Sequence, residues 1–283
     1  MRGRVAVVTG GASGIGRAIG ALAAAEGMRV ALIDIDPAVH QTGEELQRGG
    51  VEVLTLEADV SNRTAVLEAA DRVYDRFGSV ELAVLNAGVN CVQAISTISG
   101  AVWDWQIGVN IGGIVNGIIA FLPKMIDSGS EGHLVMTSSM AGLIGAAYTA
   151  PYVMAKGGII SLGEALFAEM QADGVPLGVS VLCPEAVATG IANDEAHRPA
   201  GLPTRYELDP RLADQRKMVA EILAAGASPD AVTEMVFRGV RENQLYILTH
   251  PEYAKQMVWA RAEAMASGKN PVTPTIEEFA PGH

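Results

Sequence analysis

"VTGGASGIG", residues 8–16, sets four glycines and two hydroxyl residues directly behind the apolar run Val5-Ala6-Val7-Val8. A strand that turns through Gly10, Gly11, Gly14 and Gly16 into the helix-like run 17–22 aims unpaired helix N–H groups at one point, where a pyrophosphate would be held. The stretch therefore reads as an anion cradle. Glycine-rich turns also serve as plain tight connections, so the reading depends on what stands around it.

Working outward, short β-rich runs recur at 29–33, 51–56, 82–85, 133–137 and 178–182, with a last one at 245–248. Helical periodicity fills the gaps at 64–77, 103–125, 153–171 and 230–241. Strands apolar on both faces that alternate with helices predict an α/β fold, a doubly wound parallel sheet of Rossmann type. One connection is out of proportion: from Ala186 to about Ser228, Asn193, Asp194, Pro199, Gly201, Pro203 and Pro210 break regular structure ahead of a short helical run at 211–225. Following the carboxyl end of a central strand, such a loop reads as a substrate lid. The expected organisation is one dinucleotide-binding catalytic domain over 1–250, with its lid at about 187–228, and a C-terminal extension over 251–283.

Composition narrows the partners. A chain of 283 residues that is 49% hydrophobic suits one large domain. Its formal charge of −12 repels nucleic acid and anionic membranes, which leaves a small molecule as the expected partner. The two cysteines, Cys91 and Cys183, have neither disulfide-framework nor zinc spacing, so no metal is expected and a reducing cytoplasm fits. The sequence shows no basic-then-apolar leader and no apolar stretch judged long enough to span a bilayer, so an unprocessed soluble protein is expected.

Asp34 ends the second β-rich run, where a carboxylate can accept from both hydroxyls of an adenosine ribose. A 2′-phosphate about 4 Å away would meet roughly 4 kcal/mol of repulsion per unit charge at an effective dielectric of about 20. Ser13 and Ile35 stand where a compensating cation would be needed. The cofactor expected is NAD rather than NADP. Asp59-Val60 after the third run and Asn86-Ala87-Gly88 after the fourth lie at the carboxyl ends of successive strands, where such a ligand rests.

"SSMAGLIGAAYTAPYVMAK", residues 138–156, places Tyr152 and Lys156 four apart, on one helix face. Lowering a phenol from its usual pKa near 10 by roughly 2–3 units needs about 3–4 kcal/mol. An ammonium about 4–5 Å away supplies energy of that order. Tyr148 has no lysine four positions later, which makes it a pocket wall rather than an acid. His133 and His250 are read as structural.

With TGGASGIG, Asp34, Asn86-Ala87-Gly88, Asn110 in "VNIGG", Ser139 before Tyr152, and Pro184 with Thr189, the chain resembles the classical short-chain dehydrogenases/reductases over about residues 3–250. The resemblance implies that Tyr152 is the general acid/base, that Lys156 binds the nicotinamide ribose and tunes the phenol, and that Ser139 orients the substrate oxygen. It further implies that Asn110 holds a proton-passing water and that Thr189 contacts the carboxamide. Gly10, Ser13, Gly14, Ile15 and Gly16 would form the cofactor cradle, and Pro184 and Val187 would flank the nicotinamide. A homotetramer joined through the two long helices is the family expectation.

Three positions depart from the family pattern: Glu185 follows Pro184 where glycine is usual, Ala155 precedes the lysine where serine is frequent, and Leu85 precedes Asn86 where a second asparagine is common. Val92, Ile144, Tyr148 and Glu185 are the expected substrate-lining residues. The function expected is hydride transfer between NAD and a hydrophobic secondary alcohol or ketone. The alternative is a non-catalytic dinucleotide-binding sensor, which would have no need of a tuned phenol. A lyase on the same scaffold would normally lose the glycine cradle.

Overall fold

The computed structural model describes residues 1–192, 198–202 and 210–271. Seven parallel strands form one sheet in the order β3-β2-β1-β4-β5-β6-β7. They are β1 (Val5–Thr9), β2 (Arg29–Asp34), β3 (Val53–Glu57), β4 (Leu82–Leu85), β5 (Gly132–Thr137), β6 (Leu177–Cys183) and β7 (Tyr246–Leu248). The helices are α1 (Gly14–Ala25), α2 (Ala38–Gln47), α3 (Arg63–Phe77), α4 (Gly100–Ile107), α5 (Gly113–Asp127), α6 (Met140–Leu143), α7 (Ala150–Ala172), α8 (Ala213–Ala224), α9 (Pro229–Arg241) and α10 (Pro251–Ser267). The doubly wound α/β sheet expected from the alternation is the fold.

Side-chain alternation sorts the strands onto two cores. Val5, Val7, Ala31, Ile33, Leu85, Leu134 and Val181 face α3, α5 and α7, where Val73, Phe121 and Ile159 meet them. Ala6, Val8, Val30, Leu32, Val84 and Leu182 face α1 and α9, where Ile19, Ala23, Val236 and Phe237 cover them. Both faces of each central strand are thus buried, and the chain reverses direction across the sheet between β1 and β4. The carboxyl ends of those two strands open the crevice in which ligands of such sheets lie.

Two expectations are corrected along the helices. The run read at 103–125 is a longer one, Gly100–Asp127, and it contains a π-helical turn at Gly108–Gly112. Gly113 explains the close fit there, because a Cβ would stand 2.7 Å from Cγ2 of Val60. This run is also long and apolar enough to cross a membrane by length and composition, contrary to the sequence reading. Half of its apolar window is buried within the fold, and Ile114, Phe121 and Met125 belong to the core.

The segment after Pro184 leaves and returns at one place. Val187 and Ala227 pair in an isolated parallel bridge, the amide of Ala188 donates to Ala227, and the amide of Ala227 donates to Ala186. Asn193, Asp194 and Pro203, named above as breakers, lie outside the described residues, as does 272–283 of the C-terminal extension. The described part of that extension is mostly α10, which buries only Ala254 and ties Arg261 Nη1 to the Leu143 carbonyl at 2.7 Å.

Candidate active site

The glycine loop is held open by backbone geometry. Gly10 and Gly14 adopt φ of +70° and +52°, a region that L side chains rarely enter. The amides of Gly10 and Gly11 both donate to the Ile33 carbonyl, which locks the turn to β2. A Cβ on Gly10 would meet Ala87 Cα at 3.0 Å, and one on Gly16 would strike the Gly10 carbonyl oxygen at 2.0 Å. Gly16 therefore serves loop-to-helix packing, while Gly10, Ser13, Gly14 and Ile15 line the cavity above. Thr189 closes over the loop, with its Cγ2 3.1 Å from where a Cβ of Gly14 would stand.

Asp34 accepts the Ala12 amide on Oδ2 at 2.9 Å and the Asp36 amide on Oδ1 at 3.0 Å. Each oxygen keeps further acceptor capacity at the cavity wall. Asp59 is turned back on its own loop and accepts from both the amide and the hydroxyl of Ser61. Asn86 is a strand staple: its side chain donates to the Thr9 carbonyl and accepts from Thr137 Oγ1, so it joins the ends of β1, β4 and β5. Asn86, Ala87 and Gly88 all border the cavity, as do Asp59 and Val60.

Tyr152, Lys156 and Ser139 converge at the far end of the same cavity of about 830 Å³. Ser139 caps α6 by accepting the Ala141 amide, and its hydroxyl lies 3.4 Å from the Pro184 carbonyl to which it donates. Burial pushes the Tyr152 phenol up, and a hydrogen bond with the Ser139 side chain opposes that rise. Lys156 Nζ donates to the Thr137 carbonyl at 2.8 Å and stands 5.4 Å from the Tyr152 ring centre. Its own burial pulls it down to about 8. Desolvation thus sets the direction for the phenol, opposite to the expected lowering, and the opposing influence comes from Ser139. Ser138 donates to the Lys156 carbonyl at 2.6 Å, which makes it the tie between β5 and α7.

The profile of the short chain dehydrogenase family matches residues 4–200. The chain belongs to the short-chain dehydrogenase/reductase family. A C alpha-dehydrogenase of Sphingobium sp. is 34% identical over 253 residues, which are 88% of this chain and 81% of that protein. A CLA biosynthesis dehydrogenase/reductase of Lactiplantibacillus plantarum is 30% identical over 255 residues, covering 88% and 89% of the two chains. Among solved structures, a short-chain dehydrogenase/reductase from Burkholderia phymatum in complex with NAD superposes with a TM-score of 0.93 at 34% identity, over 96% of this chain and 98% of that one. The protein is thus an oxidoreductase of the short-chain dehydrogenase/reductase family.

Against that family pattern, several sequence readings shift. Asn110 is fully buried and outside the cavity lining; its Oδ1 accepts the Val89 amide, and its Nδ2 donates to the Val89 and Gln106 carbonyls. Both Nδ2 protons are thus taken by backbone carbonyls, while Oδ1, which accepts the Val89 amide, keeps further acceptor capacity. Tyr148 does not wall the cavity: it sits at φ +63° and is 41% exposed, while its neighbours Ala146, Ala147 and Thr149 form the wall. Val92, Ile144, Pro184, Glu185 and Val187 do line it. His250, read as structural, stands with Nδ1 3.1 Å from Glu185 Oε2.

Sequence reading missed Trp105, and it read Arg198 and the α8 residues Val219, Ile222 and Leu223 only as part of the 187–228 lid; all five line the cavity. The guanidinium of Arg198 lies 5.5 Å over the Trp105 ring, and its Nη2 is 3.2 Å from Cys91 Sγ. The helical run at 211–225 was the available signal for α8, but nothing local marks which face would meet the cavity.

Proposed function

We propose that the protein oxidises a hydrophobic secondary alcohol, or reduces the matching ketone, with NAD as its cofactor. The observation that carries this reading is the convergence of Tyr152, Ser139 and Lys156 on a cavity whose opposite end is the glycine cradle with Asp34. The cradle fits a dinucleotide, because Gly10 and Gly14 hold a left-handed backbone that side chains would strain, and a Cβ at either would press on Ala87 or Thr189; the bare loop amides and the start of α1 suit phosphates. Asp34 would hold the adenosine ribose, and Lys156 the nicotinamide ribose. Bound there, NAD supplies the carbon that takes up or returns a hydride.

The chain's own part is protonic and geometric. Ser139 and Tyr152 hold the substrate oxygen between two hydroxyls, and Tyr152 Oη takes its proton in oxidation or returns it in reduction. The buried ammonium of Lys156 favours the phenolate when the proton leaves. Asn110 contributes by fixing the π-helical turn and the 88–90 segment beside Lys156, and would hold a proton-passing water. Apolar groups from Val92, Ile144, Val219 and Ile222 exclude solvent and favour hydrophobic substrates. The segment at about 187–228 is the lid in this reading, and assembly is expected through α5 and α7.

The test is formation of NADH across a panel of secondary alcohols, with ketone reduction run in parallel. Turnover that requires Tyr152 supports the reading, whereas tight NADH binding without turnover on any alcohol or ketone would favour a binding protein.

A further inference from the structure

Glu185 departs from the family pattern, and its position makes that departure chemical. The carbonyl of Pro184, the residue before it, accepts from Ser139 Oγ and from the Met140 amide, so Glu185 begins beside the hydroxyl that would orient the substrate oxygen. Its own amide donates to Thr249 Oγ1 at 3.1 Å, which fixes the backbone against the end of β7. The carboxylate reaches the start of α10, where Oε2 is sealed from solvent 3.1 Å from His250 Nδ1. That contact is ionic in distance but lacks hydrogen-bond alignment, because Nδ1 engages Thr249 Oγ1 at 3.0 Å. The inner oxygen is thus anchored without an aligned donor, and the side chain, 20% exposed, still borders the cavity.

The surroundings make this carboxylate unusual. It shares the cavity lining with the apolar side chains of Ile144, Ala186, Val219, Ile222 and Leu223. A carboxylate beside apolar walls retains acceptor capacity that those walls cannot satisfy. Burial accordingly pushes Glu185 up while His250 draws it back. The adenosine end, marked by Asp34, lies across the cavity from Ser139 and so does not compete for it.

We propose that Glu185, positioned by His250 and Thr249, is a specificity-determining residue that accepts a hydrogen bond from a second donor group, a hydroxyl or an ammonium, on the substrate. The substrates preferred are then secondary alcohols or ketones that carry such a donor away from the reacting carbon on an otherwise apolar frame. This rests on the oxidoreductase reading above and deepens it.

The experiment compares 2-alkanols of five to eight carbons with their ω-hydroxy and ω-amino counterparts, in the unmodified protein, Glu185→Gln and Glu185→Ala. Two quantities are read: kcat/KM, and the dissociation constant of each alcohol from the enzyme–NADH complex by nicotinamide fluorescence. At the best chain length, a donor-bearing substrate should exceed its parent by about tenfold or more in the unmodified protein, a ratio typical of one added hydrogen bond to a charged group. Glu185→Ala should bring that ratio near one, and Glu185→Gln should keep part of the hydroxyl preference while losing the ammonium preference. The amino arm leading would mark an ionic subsite, and the hydroxy arm leading a neutral one. Parent alkanols turned over with an identical ratio in Glu185→Ala would overturn the subsite and leave the oxidoreductase reading standing. Glu185-dependent binding without turnover of any member would do the reverse.

Discussion

Lys156 donates from Nζ to the carbonyl oxygen of Thr137 at 2.8 Å, from a side chain only 2% exposed. An ammonium so placed has one backbone acceptor and little water, and its pKa falls to about 8 as a result. In an unfolded chain a lysine titrates near 10.4. Between these values the unfolded chain binds the extra proton, so this group adds stability as pH rises from about 8 and has its full penalty below that. The shift corresponds to about 3 kcal/mol. Lys156→Met should remove that pH dependence, and urea unfolding from pH 7.5 to 10 should show the two proteins diverging by about 2–3 kcal/mol. Parallel curves would mean that the ammonium is solvated.

The two tyrosines of the 138–156 segment are separated by burial. Tyr152 is 9% exposed and bonded to Ser139, whereas Tyr148 is 41% exposed and outside the cavity lining. Tyr152→Phe keeps the ring and deletes the proton carrier, so turnover should fall by ~10²–10⁴-fold while NADH still binds. Tyr148→Phe should leave turnover within about twofold, since no general acid is removed. Comparable losses in both variants, measured by NADH absorbance, would show that the wrong phenol has been assigned.

Asp34 would couple cofactor choice to loop structure, because the oxygens that would receive the ribose also accept the Ala12 and Asp36 amides. Asp34→Ala should therefore weaken NADH binding and narrow its advantage over NADPH by more than tenfold, given roughly 4 kcal/mol of repulsion at about 4 Å. Fluorescence titration of both nucleotides decides it. Equal affinities for NADH and NADPH in the unmodified protein would remove Asp34 from this role.

What could be read from sequence follows the locality of its cause. β4 was legible to the residue because Leu82–Leu85 is apolar throughout and buried on both faces. The edge strands β3 and β7 begin later than their apolar runs suggest, since each has a sheet neighbour on one side only. Helix α10 was missed because it buries only Ala254, so burial imposes little 3.6-residue pattern on it. The π-helical turn at Asn110 was hidden for another reason: it accompanies side-chain bonds to Val89 and a close approach to Val60, both distant in sequence. In the site, the glycine loop, Ser139, Tyr152 and Lys156 belong to short motifs, and the fold brings them to one cavity. Trp105, Arg198, Ile222 and the partnership of Glu185 with His250 are assembled by the fold from separate segments, and no spacing rule reaches them.

His133 carries the last prediction. It lies in β5, 6% exposed, with Nε2 2.7 Å from Ser180 Oγ. Ser180 has one hydroxyl proton, which it donates to the Gln244 carbonyl, so its oxygen is the acceptor for a proton on Nε2. On the other side of the ring, a Cβ at Gly178 would come within 2.2 Å of Nδ1, so backbone packs closely against the nitrogen that would have to gain the second proton. Burial accordingly lowers the imidazole to about 4, against about 6.5 when unfolded. Because the folded value is the lower one, the unfolded chain binds more protons between those limits, and stability falls as pH drops from about 6.5 to about 4. The group's share is about 3 kcal/mol. His133→Gln should lose stability at pH 7 through imperfect packing, yet its curve should be flatter through the acid window. Denaturant midpoints at half-unit pH steps measure the difference directly, and an equal acid slope in both proteins would show that His133 is accommodated as the cation.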